Sequence, residues 1–295
     1  MIHPVEFLQD DGYRLRGRLY APRESHGPAL VFCHGFGAAV DDIADRFATG
    51  LRDRGCTVLL FDYSGFGRSD GPRGRLDPER EVRDVRAAVS YLCANRPRPA
   101  AAGVGLVGIS FGGAIATTAA ARDPRVRTLV SLSAVASGSA WMRDLRPYWQ
   151  WLKLQDEIEA DRSARTAAPS KLVDADWIVP RDPVSAAALA AYKQAHPEHS
   201  SRFDLVSAEL IQGFEPVREA GRLRDRTALF IHCRRDLLVP VEHASMLADA
   251  AAGELLLLSD VGHYTVYEGE AIRTVLDRAA EVFHRPVASA GHTVD

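Results

Sequence analysis

Ser110 stands between Gly108 and Gly112, each two residues away from it. A serine in the pattern Gly-x-Ser-x-Gly is typical of a strand-to-helix turn so sharp that the two flanking glycines have no room for a side chain. The apolar run VGLVGI precedes Ser110 and the alanine-rich run FGGAIATTAAAR follows it, which supplies the strand and the helix that this turn requires. The pattern therefore predicts Ser110 as a nucleophile.

Two further residues have the chemistry that such a serine needs. A serine hydroxyl is a weak nucleophile at its own pKa, so it requires a general base and a carboxylate that orients the base. Asp236 in FIHCRRDLLVP and His263 in LSDVGHYTVYEGE each lie just past an apolar run that is predicted to be a buried strand. Residues that follow parallel strands emerge at the same edge of the sheet. We therefore expect Ser110, Asp236 and His263 to form a catalytic triad.

Other residues compete for the roles of base and acid. His232 lies inside a predicted strand and His243 inside a predicted helix, which favours His263 as the base. Asp260 precedes His263 by three residues and is the alternative to Asp236 as the acid. A second use for Asp260 is to cap its own loop.

Acyl transfer also needs hydrogen-bond donors at the oxygen where negative charge develops. The stretch FCHGFGA ends a predicted strand, and its Gly35 and Gly37 let the loop backbone approach a substrate closely. The backbone amides of Phe36 and Phe111 are therefore the predicted oxyanion hole. We expect His34 to brace this loop rather than to ionise.

A second glycine-containing loop, DYSGFGRSDG at residues 62–71, also follows an apolar run. A dinucleotide-binding loop needs G-x-G-x-x-G opening directly into a helix, and Pro72, Gly74 and Pro78 interrupt that arrangement here. We interpret the loop as a structural turn beside the site.

The elements that must position these residues follow an α/β pattern. Short apolar runs, typical of strands that are buried on both faces, alternate with helical segments, and this alternation predicts parallel strands with helices on both faces of the sheet. A turn at Asp11-Gly12 predicts an opening β-hairpin. The predicted fold class is α/β, with a mostly parallel eight-stranded sheet. The six apolar runs lie at 29–33, 57–61, 104–109, 126–132, 228–233 and 254–258.

The strand pattern is interrupted once. Residues 134–216 contain no strand-like run and are predicted to form several helices, as an insertion after strand 6. The predicted core therefore comprises residues 1–133 and 217–285, and residues 286–295 are expected to be a flexible tail.

The inserted residues 134–216 hold all 4 tryptophans of the chain. Trp141, Tyr148 and Trp149 recur at roughly helical spacing, although Pro147 is expected to split the helix. Most residues of this stripe should pack the insertion onto the core. These three aromatic residues are the candidates for lining an apolar acyl or aryl pocket.

Composition excludes several classes of function. The formal net charge is −3 and no block of basic residues occurs, so nucleic acid is not an expected partner. No apolar stretch is long enough to span a bilayer and the N-terminus has no apolar signal region, so we expect no membrane partner and a cytoplasmic location. The 4 cysteines are scattered, which predicts neither a disulfide framework nor a metal site.

The chain resembles the α/β-hydrolase superfamily over nearly its whole length apart from the insertion. The resemblance rests on HGFGA, DYSGFGRSDG, GISFGG, HCRRDLLVP and VGHY, which occur in the family's order. It implies Ser110 as nucleophile, Asp236 as acid and His263 as base, oxyanion amides from Phe36 and Phe111, and a helical cap over the site. Within the superfamily the sequence is most similar to serine esterases and acyl-peptidase-like hydrolases, including cinnamoyl-esterase-like proteins.

The predicted activity is hydrolysis of a carboxylic ester of a small to medium substrate with an apolar part, through an acyl-enzyme and without a metal or organic cofactor. A thioesterase or lactonase is an alternative that differs only in its substrate, and a carbon–carbon bond hydrolase would use the same triad. A non-catalytic binding protein on this fold predicts a broken triad, which the sequence does not have. The expected partner is a small-molecule ester or thioester, and a homodimer stays open.

Overall fold

The computed structural model describes residues 1–23, 27–40, 42–95, 103–195 and 202–286. The strands of this part are β1 (Ile2–Leu8), β2 (Arg14–Tyr20), β3 (Ala29–Cys33), β4 (Thr57–Phe61), β5 (Val104–Ile109), β6 (Val126–Leu132), β7 (Leu172–Asp174), β8 (Arg202–Asp204), β9 (Thr227–Cys233) and β10 (Glu254–Leu258). The α-helices are α1 (Asp42–Arg52), α2 (Pro78–Asn95), α3 (Phe111–Arg122), α4 (Gly138–Asp144), α5 (Tyr148–Ala164), α6 (Ala175–Ile178), α7 (Pro183–Ala195), α8 (Val206–Gln212), α9 (Pro216–Ala220), α10 (Glu242–Ala251) and α11 (Gly269–His284).

The main sheet has eight strands in the order β1-β2-β4-β3-β5-β6-β9-β10. β1 pairs antiparallel with β2, and β2 pairs antiparallel with β4. The other neighbouring strands of this sheet are parallel. The mostly parallel eight-stranded sheet and the opening hairpin predicted from the sequence are therefore confirmed.

Each central strand is buried because helices cover both faces of the sheet. Leu30 and Phe32 of β3 belong to a core cluster with residues of α1 and α11, whereas Val31 and Cys33 belong to the cluster that includes α2, α3 and α10. This alternation is the two-residue period of a strand, and it explains why the central strands are continuous apolar runs.

Helix α2 begins as its sequence predicts. The carboxylate of Asp77 accepts a hydrogen bond from the backbone N–H of Arg80 at 3.1 Å, and Pro78 takes the first helical position. Helix α10 begins at Glu242. In its first turn the N–H groups of His243 and Ala244 donate to carbonyls three residues back, as in a 3-10 turn.

The residues between β6 and β9 form α4 to α9, with Pro147 separating α4 from α5. They also form a two-stranded antiparallel sheet, in which β7 pairs with β8. This pair corrects the prediction of helices alone for the insertion. Each strand has only three residues, of which one is buried: Val173 in β7 and Phe203 in β8. Neither strand therefore forms an apolar or alternating run long enough to detect in the sequence.

No helix in the described ranges has both the length and the apolar character to cross a membrane. Most of the predicted tail, residues 287–295, lies outside the described residues.

Candidate active site

Ser110 occupies a strained turn between β5 and α3. Its φ of 52° and ψ of −129° lie in a region that non-glycine residues rarely adopt. The turn is held by hydrogen bonds from the Ser110 N–H to the carbonyl of Leu132 at 2.8 Å and from the Gly113 N–H to the carbonyl of Ser110 at 2.9 Å. The strand, turn and helix thus have the local structure predicted for a nucleophilic serine.

The two glycines around Ser110 allow the backbones to approach closely. A Cβ atom on Gly108 would lie 2.4 Å from the carbonyl oxygen of Gly112, and a Cβ atom on Gly112 would lie 2.3 Å from the carbonyl oxygens of Cys33 and His34. Both distances are far below van der Waals contact. A larger residue at position 108 would force the start of α3 away from β5, and one at position 112 would force α3 away from the end of β3, so the turn requires glycine at both positions.

Asp236 and His263 form a buried hydrogen-bonded pair. Their loops follow β9 and β10, and His263 Nδ1 lies 2.8 Å from Asp236 Oδ2. The other carboxylate oxygen, Oδ1, accepts hydrogen bonds from the amides of Leu238 at 2.9 Å and Val239 at 2.8 Å. Because Asp236 Oδ2 accepts from Nδ1–H, Nε2 is the ring nitrogen that remains available as a base.

The protonation state of Asp236 follows from these contacts. Burial is the largest single influence and opposes ionisation, but the charge of His263, its hydrogen bond and the amide of Val239 outweigh burial. The pKa of Asp236 is therefore lowered below its ordinary value, and the carboxyl is ionised at neutral pH.

The residues that compete for these roles have other partners. Asp260 is exposed and its carboxylate pairs with Arg235 at 3.2 Å. His232 is buried with Nε2 at 2.9 Å from the carbonyl oxygen of Val239, and His243 Nδ1 accepts a hydrogen bond from Ala136 N–H at 3.0 Å. Burial lowers the pKa of both histidines.

Ser110 and His263 line the same cavity, and Asp236 is joined to His263 by a hydrogen bond, so the three predicted triad residues lie at one edge of the sheet. No hydrogen bond joins the Ser110 hydroxyl to His263 or to another group in the described part of the chain. Hydrogen bonds between a nucleophile and its base are often long before a substrate binds.

The two amides predicted as an oxyanion hole lie beside Ser110. A Cβ atom built on Gly35 would be 3.3 Å from the Ser110 Cβ, so the loop that carries Phe36 contacts the turn directly. Neither the Phe36 N–H nor the Phe111 N–H donates to a described backbone carbonyl. His34, in the same loop, lies against Tyr63 and within hydrogen-bond distance of the carbonyl oxygen of Phe61.

A cavity of about 340 Å³ opens on Ser110 and His263, and most of its wall is apolar. It is lined from the core and from the residues between β6 and β9. Its aliphatic lining and its Phe and Trp residues are Phe36, Ala38, Ile43, Ile109, Trp141, Ala175, Val179, Ala188, Leu189, Ala191, Phe203 and Leu238. Phe203 lies in a three-residue strand and was not predicted, whereas Leu238 could have been found from its place two residues after Asp236.

Trp141 is the predicted aromatic residue that the structure brings to the cavity. It is 1% exposed, its indole N–H donates to the carbonyl of Leu238 at 2.8 Å, and it stacks on Phe111 with ring centroids 5.8 Å apart. Tyr148 and Trp149 are 60% and 64% exposed and are not in the cavity lining. Their prediction is corrected, because α5 starts afresh after Pro147 and turns both side chains to the surface.

The loop at residues 62–71 is a turn whose polar groups are bonded within the protein. The two carboxylate oxygens of Asp62 accept from the amides of Val40 at 2.7 Å and Arg68 at 2.9 Å. Ser64 donates its backbone N–H and its hydroxyl to the carboxyl of Asp84, which is buried on α2. The loop is thereby attached to the core next to the site.

Asp84 makes the stability of the protein depend on pH. Burial is the main cause that raises its pKa to about 6, against the opposing hydrogen bonds from Ser64. Since the folded state holds this proton more tightly than the unfolded state does, its contribution to stability is complete below pH 4 and is lost as pH rises through 6. We expect Asp84→Asn to remove about 3 kcal/mol of the decline in unfolding free energy between pH 4 and pH 8.

Denaturant unfolding at pH 4.5 and pH 8 measures this effect, and Asp156→Asn, an exposed change on α5, is the control. The free energy of unfolding of Asp84→Asn minus that of the native chain should be more favourable to the variant at pH 8 than at pH 4.5. Equal effects at both pH values would contradict the assignment.

Relatives of this chain include proteins that match it locally and proteins that match it along most of its length. The thiohydrolase aneE of Aspergillus aculeatus is 43% identical over 129 residues, which are 43% of this chain and only 40% of that protein. An uncharacterised 31.7 kDa protein of Escherichia coli is 26% identical over 249 residues, covering 82% of this chain and 85% of that protein.

Solved structures share the whole architecture. The alpha/beta hydrolase GrgF from Penicillium sp. sh18 superposes with a TM-score of 0.82 at 22% identity, covering 98% of this chain and 99% of that chain. The family model described as alpha/beta hydrolase fold matches residues 28–270. The match begins just before β3 and ends in the first residues of α11, so it includes every loop that meets at the cavity. The chain therefore belongs to the alpha/beta hydrolase fold family.

Proposed function

We propose that the protein is a serine hydrolase that cleaves a carboxylic ester of a small to medium substrate with an apolar acyl part. The proposal rests on one observation above all. Asp236 holds His263 at 2.8 Å on the wall of the cavity that also contains Ser110. The family is a hydrolase family, and the serine esterase type remains our proposal.

In the proposed mechanism His263 Nε2 takes the proton of the Ser110 hydroxyl while the serine oxygen attacks the substrate carbonyl. The amides of Phe36 and Phe111 donate to the oxyanion of the tetrahedral intermediate. His263 then gives its proton to the departing alcohol, and water releases the acyl group from Ser110 by the same steps in reverse order. Asp236 stabilises the imidazolium that forms twice in this cycle.

Labelling with a fluorophosphonate tests the nucleophile directly. The native chain should gain the mass of one adduct, and Ser110→Ala and His263→Ala should each gain none, because the serine reacts only when a base takes its proton. An adduct that persists in folded Ser110→Ala would assign the nucleophile elsewhere. A folded native chain that gains no adduct would favour a non-catalytic binding protein.

The apolar cavity predicts a preference for longer acyl chains. Each buried CH₂ group contributes about 0.8 kcal/mol, or about fourfold in binding. We expect kcat/KM for a p-nitrophenyl butyrate to exceed that for the acetate by about tenfold. Equal values for acetate, butyrate and a bulky aryl ester would contradict an apolar acyl pocket.

A role for the residues between β6 and β9 as a cap is part of this proposal. Trp141, Val179 and Phe203 from this segment line the cavity together with core residues. In the proposed function the segment covers the acyl group and excludes water from it. The predicted domain boundaries, with a core of 1–133 and 217–285 around an insertion of 134–216, remain part of the same proposal.

A thioester is the second candidate substrate. The similarity to the thiohydrolase aneE favours it, and the same serine mechanism cleaves a thioester with a thiolate as leaving group. Hydrolysis of ethyl butyrate and of its S-ethyl thioester distinguishes the two substrates. A value of kcat/KM at least tenfold higher for the thioester would replace the ester proposal, and a higher value for the ester would support it.

A further inference from the structure

A second cavity of about 780 Å³ adjoins the one described above, because Gly37 and Phe203 line both. It lies between β2, the loop after β4 and the β7–β8 pair. We call it the cationic groove because four of the residues in its lining are arginines. They are Arg18, Arg68, Arg73 and Arg202.

Asp62 is the single acidic residue among the described residues that line the groove, and its charge acts on Arg18 without forming an ion pair in these ranges. Both of its carboxylate oxygens accept backbone amides, those of Val40 at 2.7 Å and Arg68 at 2.9 Å. Among the described residues the groove therefore carries four positive charges against one negative charge, on a chain whose formal net charge is −3. Such a local concentration of positive charge favours an anionic ligand.

The arginines are held in ways that leave them suited to bind an anion. The Arg73 guanidinium donates to the carbonyls of Gly67 at 2.8 Å and Ser69 at 2.9 Å, which fixes its position without a carboxylate partner. The Arg68 side chain is exposed and forms no ion pair within the described ranges. Arg18 pairs with Asp45 at 3.4 Å in an exposed position, and such a pair contributes little.

We propose that the cationic groove binds the phosphate of a phosphopantetheine thioester whose acyl group occupies the apolar cavity. The proposal rests on the thioester form of the proposed function. Several guanidinium groups around one space match the oxygens of a phosphate. An uncharged alcohol leaving group would make no use of them.

In this reaction Ser110 Oγ forms a bond to the acyl carbon, and the bond from that carbon to sulfur breaks. The sulfur leaves with the proton that His263 took from Ser110, so the free thiol of phosphopantetheine is the first product. Water then releases the carboxylic acid. The phosphate stays unchanged in the groove beyond Gly37 and Phe203, where it anchors the leaving-group half of the substrate.

The test compares butyryl thioesters that differ only in the leaving group: pantetheine, phosphopantetheine and coenzyme A. We expect Arg68→Glu to lower the ratio of kcat/KM for butyryl-phosphopantetheine to that for butyryl-pantetheine by about tenfold, mainly through KM. Arg273→Glu is the matched control, because Arg273 is an exposed arginine on α11 outside the lining of both cavities. It should leave the ratio within about twofold of the native value.

The arms of this comparison also identify the source of the phosphate. An equal loss of kcat/KM with phosphopantetheine and coenzyme A assigns the groove to the phosphate attached directly to pantetheine. Coenzyme A and acyl carrier proteins both carry this phosphate. A loss confined to coenzyme A leaves the ratio for phosphopantetheine to pantetheine unchanged, and it overturns the proposal in favour of the other phosphates of free coenzyme A. A ratio unchanged by Arg68→Glu, or changed as much by Arg273→Glu, overturns the proposal.

A binding measurement separates this proposal from the proposed activity. Calorimetric titration of the Ser110→Ala chain with 4′-phosphopantetheine and with pantetheine needs no turnover. Tighter binding of the phosphorylated compound, lost in Ser110→Ala combined with Arg68→Glu, supports the groove even if no thioester is hydrolysed. Equal affinity for the two compounds overturns it, whatever the protein hydrolyses.

Discussion

Replacing Ser110 by alanine is expected to lower kcat for an ester substrate by about 10⁶-fold, with a much smaller change in KM. The expected loss is large because in the proposed mechanism the hydroxyl supplies the covalent bond of the acyl-enzyme, and neither His263 nor the two amides could replace it. Initial rates with p-nitrophenyl butyrate measure the effect. A residual rate from the amides and from substrate binding alone should remain above the uncatalysed rate.

Ser133 provides a matched control for this substitution. It follows β6 as Ser110 follows β5, it is fully buried, and its φ of 49° is also positive. Its hydroxyl contacts Cys233 Sγ at 3.9 Å, and it is not in the lining of the cavity. Ser133→Ala imposes the same loss of a hydroxyl in the same backbone region, and kcat should stay within about threefold of the native value. Comparable losses in both variants would indicate a structural effect and contradict a nucleophilic role for Ser110.

The strands and the turn around Ser110 could be predicted because local sequence determines them. Five of the six apolar runs coincide with strands residue for residue, and β9 begins one residue earlier than its run. Gly108 and Gly112 identified the sharp turn because no other residue fits the contacts that the backbone makes there. The edge at which Asp236 and His263 meet followed from the rule for parallel strands.

The walls of the cavity could not be predicted in the same way. Phe203 reaches the cavity through pairing of β8 with β7, which lies about 30 residues earlier in the chain. Tyr148 and Trp149 share the helical spacing of Trp141, but α5 begins after Pro147 and buries Leu154 and Ile158 instead of these two residues. The groove arginines come from three separate elements, and no local pattern connects them. Position in the fold determines these contacts, and spacing does not.

Replacing Asp236 by asparagine is expected to lower kcat by about 10⁴-fold while the fold is retained. Asparagine can keep the hydrogen bonds that Leu238 N–H and Val239 N–H donate to Oδ1 of Asp236. Its amide group would then face His263 Nδ1 as a donor and favour the tautomer with the proton on Nε2. A histidine in that tautomer cannot accept the proton of Ser110.

Asp260→Asn is the discriminating control, because Asp260 was the other candidate for the acid. Its carboxylate is exposed and pairs with Arg235, so the substitution should leave kcat within about twofold, as expected for an exposed ion pair. The pH profile adds a second criterion. Because the pKa of Asp236 is lowered by its contact with His263 despite burial, its charge is present at every pH above its ordinary value near 4 and is lost only as pH falls through the lower folded value.

Asp236→Asn should therefore lower kcat at every pH between about 5 and 9. A loss of activity in Asp260→Asn with full activity in Asp236→Asn would instead assign the acid to the exposed loop. Such a result would require the loop after β10 to rearrange, because in the structure His263 Nδ1 is already occupied by Asp236 at 2.8 Å. The pair of variants thus tests whether the buried hydrogen bond seen in the structure is the one that orients the base during catalysis.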